Sequence, residues 1–308
     1  MIERCSIRQN GFYGKYAPAK SGAASTIIVV TDDDVDEIIS KSTVKWLNSL
    51  GVNALAVSPE KGIKGVHSYP MEQLEQAVNY LKAKGERRIG ALGISASGMV
   101  ALTAAALFQD ITLTIALTPS DYVMEGYYQD KKDGVPERPG DYESSLTWRG
   151  KPLPFLPYAY RGTDYWAKLK AEAKRRGDMI AGRDMFDESE RLHPLTEEEA
   201  IKVEKIHGHI YFAAAEDDVM WPACKYIRRM EARLNALPHE CTWESHLYEH
   251  GTHFVFPEGL ARKLLPFGVS LLLPLVFKEA KGFVKECRET RRDIDRTLVA
   301  AIRKWETA

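Results

Sequence analysis

Apolar residues along the chain alternate between two periods. Thr26–Val30 is a short β-branched run of the kind a buried strand needs. Ile39, Thr43, Trp46, Leu47 and Leu50 then share one helical face, and Gly51 stands where that helix should stop. Val52–Val57 predicts the next strand, and Met71, Leu74, Val78 and Leu81 a second helical stripe ended by Gly85. Beyond it the pattern predicts a strand over Ile89–Ile94, a small-residue helix over Gly98–Phe108 and a strand over Ile111–Thr118. It then predicts a strand over Ile210–Ala215, a helix over Pro222–Leu237 and a last strand over Thr242–Tyr248. Strands separated by helices of this length imply parallel crossovers in one sheet, with helices on both faces. Near the start, Asn10-Gly11 between Cys5–Gln9 and Phe12–Tyr16 predicts a hairpin.

One stretch breaks the rhythm. Residues 119–208 show no clear sheet strand and are rich in Tyr, Trp and Pro, among them Tyr122, Tyr127, Tyr128, Trp148, Tyr158, Tyr160, Tyr165 and Trp166. An insertion of that length in an α/β domain is expected to be a functional lid whose aromatics line a pocket. The reading is one domain over residues 1–308, with the lid at 119–208 and a helical C-terminal extension at 259–308.

Composition narrows the class. The 42 basic and 43 acidic residues leave a formal charge of −1, which favours neither nucleic acid nor an anionic membrane as partner. The apolar run Val269–Phe277, interrupted by Pro274, is too short to span a bilayer. The start, Met1 to Cys5, lacks a basic segment followed by an apolar one, so no signal peptide is expected. Cys5, Cys224, Cys241 and Cys287 form no CxxC pair, which argues against a thiolate metal site and for a reduced, cytoplasmic protein. Self-association is left open.

The chemistry sits at three predicted strand ends. Leu92-Gly93-Ile94-Ser95-Ala96-Ser97-Gly98 joins a strand to a helix, the context of a nucleophile elbow. Gly93 supplies a small residue on one side of Ser95; on the other, Ser97 stands where a glycine is usual. Such a turn lifts the Ser95 hydroxyl above the sheet and aims the Ala96 N–H at a developing oxyanion. After the Ile210 strand comes Glu216-Asp217-Asp218, in which Asp218 best fits the acid and Asp217 is the alternative. After the last strand come His250-Gly251-Thr252-His253, with His253 the favoured base and His250 its competitor. A serine hydroxyl needs a neutral imidazole to take its proton, and a carboxylate to orient that ring. The order Ser95, Asp218, His253 is the one an α/β-hydrolase uses. No H-E-x-x-H occurs, and neither a metal nor a cofactor is expected.

Together with Arg149-Gly150-Lys151-Pro152-Leu153-Pro154 in the insertion, these motifs resemble the C-terminal domain of the acyl-CoA thioesterase and bile-acid-CoA:amino-acid N-acyltransferase family. The resemblance runs from about Gly11 to Pro257. It implies an α/β-hydrolase fold, an acyl thioester substrate, and an acyl-enzyme on Ser95 with Asp218 and His253 as partners; the expected activity is hydrolysis of a small-molecule acyl ester or thioester. A serine nucleophile resembles the thioesterase members, since the amidating members carry cysteine there. The chain departs from the family in three ways. It leaves no room for the N-terminal β-sandwich of animal members, it has Ser97 for the elbow glycine, and Thr31-Asp32-Asp33-Asp34-Val35-Asp36 replaces a Gly-rich loop. The second oxyanion donor is then expected from the backbone N–H of Asp33 or Asp34. Lys168, Lys170, Lys174, Arg175 and Arg176 read first as a solvated helix face and second as a phosphate contact.

Overall fold

A computed structural model describes residues 2–62, 64–129, 137–265 and 268–308. Residues 130–136 of the expected lid and 266–267 of the C-terminal extension therefore lie outside the described residues.

The main sheet has eight strands: β1 (Glu3–Cys5), β2 (Tyr13–Ala17), β3 (Ser25–Val30), β4 (Asn53–Ser58), β6 (Arg88–Ile94), β7 (Ile111–Leu117), β12 (His209–Ala215) and β13 (Thr242–Tyr248). They lie in the order β1-β2-β4-β3-β6-β7-β12-β13. From β4 to β13 all neighbours are parallel; β2 pairs antiparallel with both β1 and β4. The central strands β3 and β4 are buried at every residue, as β-branched and small apolar residues covered on both faces must be.

The predicted opening hairpin is present as an antiparallel pair, but its connection differs. Ile7–Asn10 forms a helical turn, α1, capped by the Ser6 hydroxyl and closed by Gly11 at φ 77°. Asn10-Gly11 thus ends a helix instead of making a two-residue hairpin turn; the Ser6 cap outcompeted the turn signal.

Helices cover both faces. α3 (Glu72–Ala83), α4 (Ala96–Leu107) and α7 (Ala223–Ala236) bury one apolar cluster against the sheet. On the other face lie α2 (Ile38–Ser49), α8 (Glu258–Leu264) and α11 (Val284–Thr307). The job of the C-terminal extension is visible here. α11 lays Cys287, Ile294, Leu298, Ile302 and Trp305 on the sheet, and the Trp305 Nε1–H donates to Thr112 Oγ1 at 2.9 Å. Between α8 and α11 stand the short α9 (Val269–Val276) and α10 (Lys278–Gly282). Among the described residues no single helix is long and apolar enough to cross a membrane.

Among the described residues, the 119–208 insertion adds no strand to the main sheet. It holds short strands of its own, β8 (Glu125–Tyr128), β9 (Arg138–Ser144), β10 (Leu146–Trp148) and β11 (Lys151–Pro152), and the helices α5 (Gly162–Arg176) and α6 (Arg183–Leu192). β8 pairs with β9; β10 lies between β11 and β5 (Tyr69–Pro70). Arg149-Gly150 is the two-residue turn between β10 and β11, with φ 53° and 72°. The Arg149 side chain reaches Glu75 at 2.9 Å and its N–H donates to Glu72 at 2.6 Å. This motif therefore clips the insertion to the start of α3.

Candidate active site

Ser95 follows β6 directly and is the first residue before α4. Its backbone sits at φ 62°, ψ −129°, a region that costs a non-glycine residue of order 1–3 kcal/mol. Two contacts hold it there: its N–H donates to Leu117 O at 2.8 Å, and its carbonyl accepts from Gly98 N at 2.8 Å. The turn is so tight that a Cβ on Gly93 would lie 2.0 Å from the Ser97 carbonyl oxygen. That distance is the physical reason for glycine at 93.

His253 and Asp218 come from the loops after β13 and β12. Asp218 Oδ2 lies 2.8 Å from His253 Nδ1, and His253 Nε2 lies 2.9 Å from Ser95 Oγ. Asp218 is fully buried and His253 is 5% exposed. Asp218 Oδ1 accepts from Met220 N at 2.8 Å and from Trp221 N at 3.4 Å, which leaves Oδ2 for the imidazole. Trp221 stands edge-on to His253, and its Nε1–H is anchored on Thr118 O at 3.0 Å.

Asp217, the alternative acid, has a different task. Its carboxylate accepts from Gly251 N at 3.0 Å and from Thr252 N at 2.7 Å, so it holds the backbone of the loop that carries His253. Burial pushes this carboxyl above the ordinary aspartate value, and the two N–H donors pull it back. His250 does not reach Ser95. It stacks on Phe283 at 3.6 Å, and its carbonyl accepts from Thr290 Oγ1 at 2.5 Å. The extension thus backs the base loop as well as the sheet.

The acidic loop after β3 divides its residues. Asp33 lines the cavity above Ser95, but its N–H donates to Thr31 Oγ1 at 3.1 Å. Burial and the neighbouring Asp32 charge raise the Asp33 carboxyl, against Lys64 at 3.3 Å. Asp34 is not among the cavity residues; its carboxylate accepts from Gly62 N at 2.8 Å and Asp36 N at 2.9 Å. The Asp33 N–H is thus engaged within the loop, and Asp34 lies outside the cavity wall. Asp32 lines the cavity instead, and its N–H has no acceptor among the described residues. Its carboxylate accepts from Ser97 Oγ at 3.3 Å and Tyr127 O–H at 2.6 Å. Ala96 also lines the cavity, at the start of α4, where an N–H is left unbonded within the helix.

The cavity has a volume of about 290 Å³ and is mainly apolar. Ile94, Met124, Met185, Phe186 and Phe254 are among its walls. Of the insertion's aromatics, Tyr127, Tyr158 and Tyr165 line it; Tyr122 instead pairs with Tyr226 O–H at 3.0 Å inside the core. Glu137 faces the same space, its carboxyl raised by burial and bonded to Tyr165 O–H at 2.6 Å. Of the basic run on α5, Arg176 pairs with Glu172 and Asp184, and Lys168 lies 4.2 Å over the Tyr160 ring.

The structure brings Ser95, Asp218, His253 and Ala96 together; Asp33 lines the same cavity and Asp34 does not. The sequence points to the Asp32–Asp34 loop and singles out Asp33 and Asp34 within it; the anchoring of Asp217 on the base loop it does not show. Away from Ser95, His207 pairs with Glu240 and His209 with Glu244, each at 3.1 Å, while His246 stacks on Tyr211 and reaches the same Glu244 at 3.2 Å. Among the described residues no three His, Cys, Asp or Glu side chains form a metal-binding group.

The strand order, the serine on a strained strand-to-helix turn and the acid and histidine on later loops define an α/β-hydrolase. The chain belongs to the BAAT / acyl-CoA thioester hydrolase C-terminal family, whose model matches residues 69–258. A comparison with curated proteins finds no match. Among solved structures, the chain is similar to an esterase of Pyrococcus furiosus at 16% identity and a TM-score of 0.48, over 83% of this chain and 81% of that one. It is similar to MGS-M1, an α/β-hydrolase from a Medee basin deep-sea metagenome library, at 12% identity and a TM-score of 0.47, over 83% and 84%. Est1E from Butyrivibrio proteoclasticus aligns at 13% identity and a TM-score of 0.43, over 82% and 89%.

Proposed function

We propose that this chain hydrolyses an acyl ester or thioester through an acyl-enzyme on Ser95. The observation that carries the reading is the unbroken chain Asp218–His253–Ser95, at 2.8 and 2.9 Å, opening into an apolar cavity. Ser95 Oγ attacks the carbonyl carbon and its proton passes to His253 Nε2. Asp218 holds the Nδ1–H and balances the imidazolium. The N–H groups of Ala96 and Asp32 hold the oxyanion. Collapse expels the alcohol or thiol, which takes the proton from His253. Water then gives a proton to His253 and attacks the acyl carbon, and Ser95 leaves with that proton. These steps call on no metal or cofactor.

The family match supports a thioester substrate. Carboxylates at Asp32, Asp33 and Glu137 in the cavity wall favour a second reading, an oxygen ester with an uncharged leaving group, because they repel phosphates. Four free, buried cysteines support a reducing compartment such as the cytoplasm.

Intact-protein mass spectrometry after incubation with an acyl-CoA panel and with p-nitrophenyl esters tests both readings. An acyl mass on Ser95 that Ser95→Ala abolishes is the expected result, and the active panel identifies the leaving group. No adduct with either panel and no labelling by a fluorophosphonate would leave a hydrolase fold that binds its ligand without cleaving it.

A further inference from the structure

We propose that Ser97 and Tyr127 are positioning residues that act through Asp32. By clamping its carboxylate they fix its backbone N–H as the second oxyanion donor. The proposal rests on the acyl-transfer reading above and assigns roles to two residues outside the triad.

The loop between β3 and α2 has no regular structure of its own from Thr31 to Glu37. Thr31 N is tied to Val57 O at 3.0 Å, and the Asp32 carbonyl accepts from Gly65 N at 2.8 Å. These bonds fix one side of the Asp32 residue. Its side chain is fixed from two further directions: Ser97 on the nucleophile helix bonds Oδ1, and Tyr127 on the insertion bonds Oδ2. Asp32 is thereby joined to the elbow on one side and to the cavity wall on the other. The Tyr127 bond, at 2.6 Å, has the short length of a charge-assisted hydrogen bond, and the longer Ser97 contact, at 3.3 Å, sets the orientation of the other oxygen.

The two departures from the usual pattern are then one device. A glycine at 97 has no hydroxyl to offer, and a glycine at 32 would need none. The Ser97 hydroxyl reaches across to Asp32, and α4 has no side-chain cap. A carboxylate beside a developing oxyanion is unfavourable in itself. It is tolerable here because each oxygen already accepts a hydrogen bond. Burial and the Asp32 charge keep Tyr127 in its protonated, donating form.

The test uses the full chain with a p-nitrophenyl ester and a trifluoromethyl ketone, which forms an oxyanion on the nucleophile. Fluorophosphonate labelling of Ser95 in the wild type comes first. Ser97→Ala and Tyr127→Phe should each lower kcat by about tenfold, a fraction of the loss seen when an oxyanion donor is removed outright. KM should stay within about twofold, and ketone affinity should fall in parallel with kcat/KM. In an Asp32→Ala background, Ser97→Ala should have no further effect. A rise in KM with unchanged kcat, or a Ser97→Ala effect that persists without the Asp32 carboxylate, would overturn the proposal. Both single variants keep the shape of the site, so the kcat and ketone measurements decide even if Asp32→Ala does not fold. A wild type that takes no label on Ser95 sinks the acyl-transfer reading and this proposal with it. A labelled wild type in which Ser97→Ala and Tyr127→Phe are silent sinks this proposal alone.

Discussion

Replacing Asp218 by Asn should reduce turnover by about 10⁴, the loss seen in the serine-protease case, without unfolding the protein. The structure supplies the reason. Asp218 Oδ1 accepts two backbone N–H bonds, from Met220 and Trp221, so an amide will place its oxygen there. Its NH₂ then faces His253 Nδ1 from the position of Oδ2. The ring is forced to carry its proton on Nε2, where it cannot accept one from Ser95. The lost charge matters as well. An imidazolium and a carboxylate about 4 Å apart between charge centres, at an effective dielectric near 20, attract by about 4 kcal/mol. Four decades of rate correspond to about 5.4 kcal/mol at ~1.36 kcal/mol per decade, so the lost attraction is of the same order as the whole effect and acts beside the wrong tautomer. The assay is kcat on a p-nitrophenyl ester beside thermal unfolding. Asp217→Asn is the control: one amide oxygen can keep the Gly251 and Thr252 bonds, so activity should fall only a few-fold. Asp217→Ala leaves both donors unsatisfied and should lower stability by about 1–3 kcal/mol. If Asp218→Asn costs less than about tenfold, or Asp217→Asn costs more than it, the assignment of the acid is wrong.

Gly93→Ala should destabilise the fold by about 3 kcal/mol or more, because its Cβ would lie 2.0 Å from a backbone oxygen; urea unfolding measures this. Thr290→Val should lower stability by about 1 kcal/mol and activity a few-fold, since it removes the donor on the His250 carbonyl; unchanged activity would uncouple the extension from the site. Asp36, beside Arg4 and Lys15, has its carboxyl lowered to about 2. A lowered folded-state value contributes stability above the unfolded-state value near 4, and that stability is lost as the pH falls from about 4 to about 2. Asp36→Asn should flatten the stability–pH curve in that window, and by a modest amount because the pair is part-exposed.

The sequence by itself determined the elements of the main sheet and three of the site's positions. Short β-branched and apolar runs located the main-sheet strands between Ser25 and Tyr248, since a strand buried on both faces leaves few residue choices, whereas β5 and the short strands of the insertion were not legible. Gly93 and Ser95 were legible for a related reason: a turn this tight admits almost no other chemistry at 93. Asp218 and His253 were legible from their places at strand ends. What the sequence left open was set by contacts between distant segments. Position favoured Asp218 over Asp217 without excluding the latter; the Gly251 and Thr252 N–H groups, 34 and 35 residues away, are what engage Asp217. Asp32 was hidden among four aspartates, and only the approach of Ser97 and Tyr127, 65 and 95 residues distant, separates it from Asp33 and Asp34. The Asn10-Gly11 pair went the other way, because a local Ser6 cap turned a hairpin signal into the end of a helix. Local propensity and periodicity select elements; the roles of equivalent polar groups depend on which donors tertiary packing brings to them.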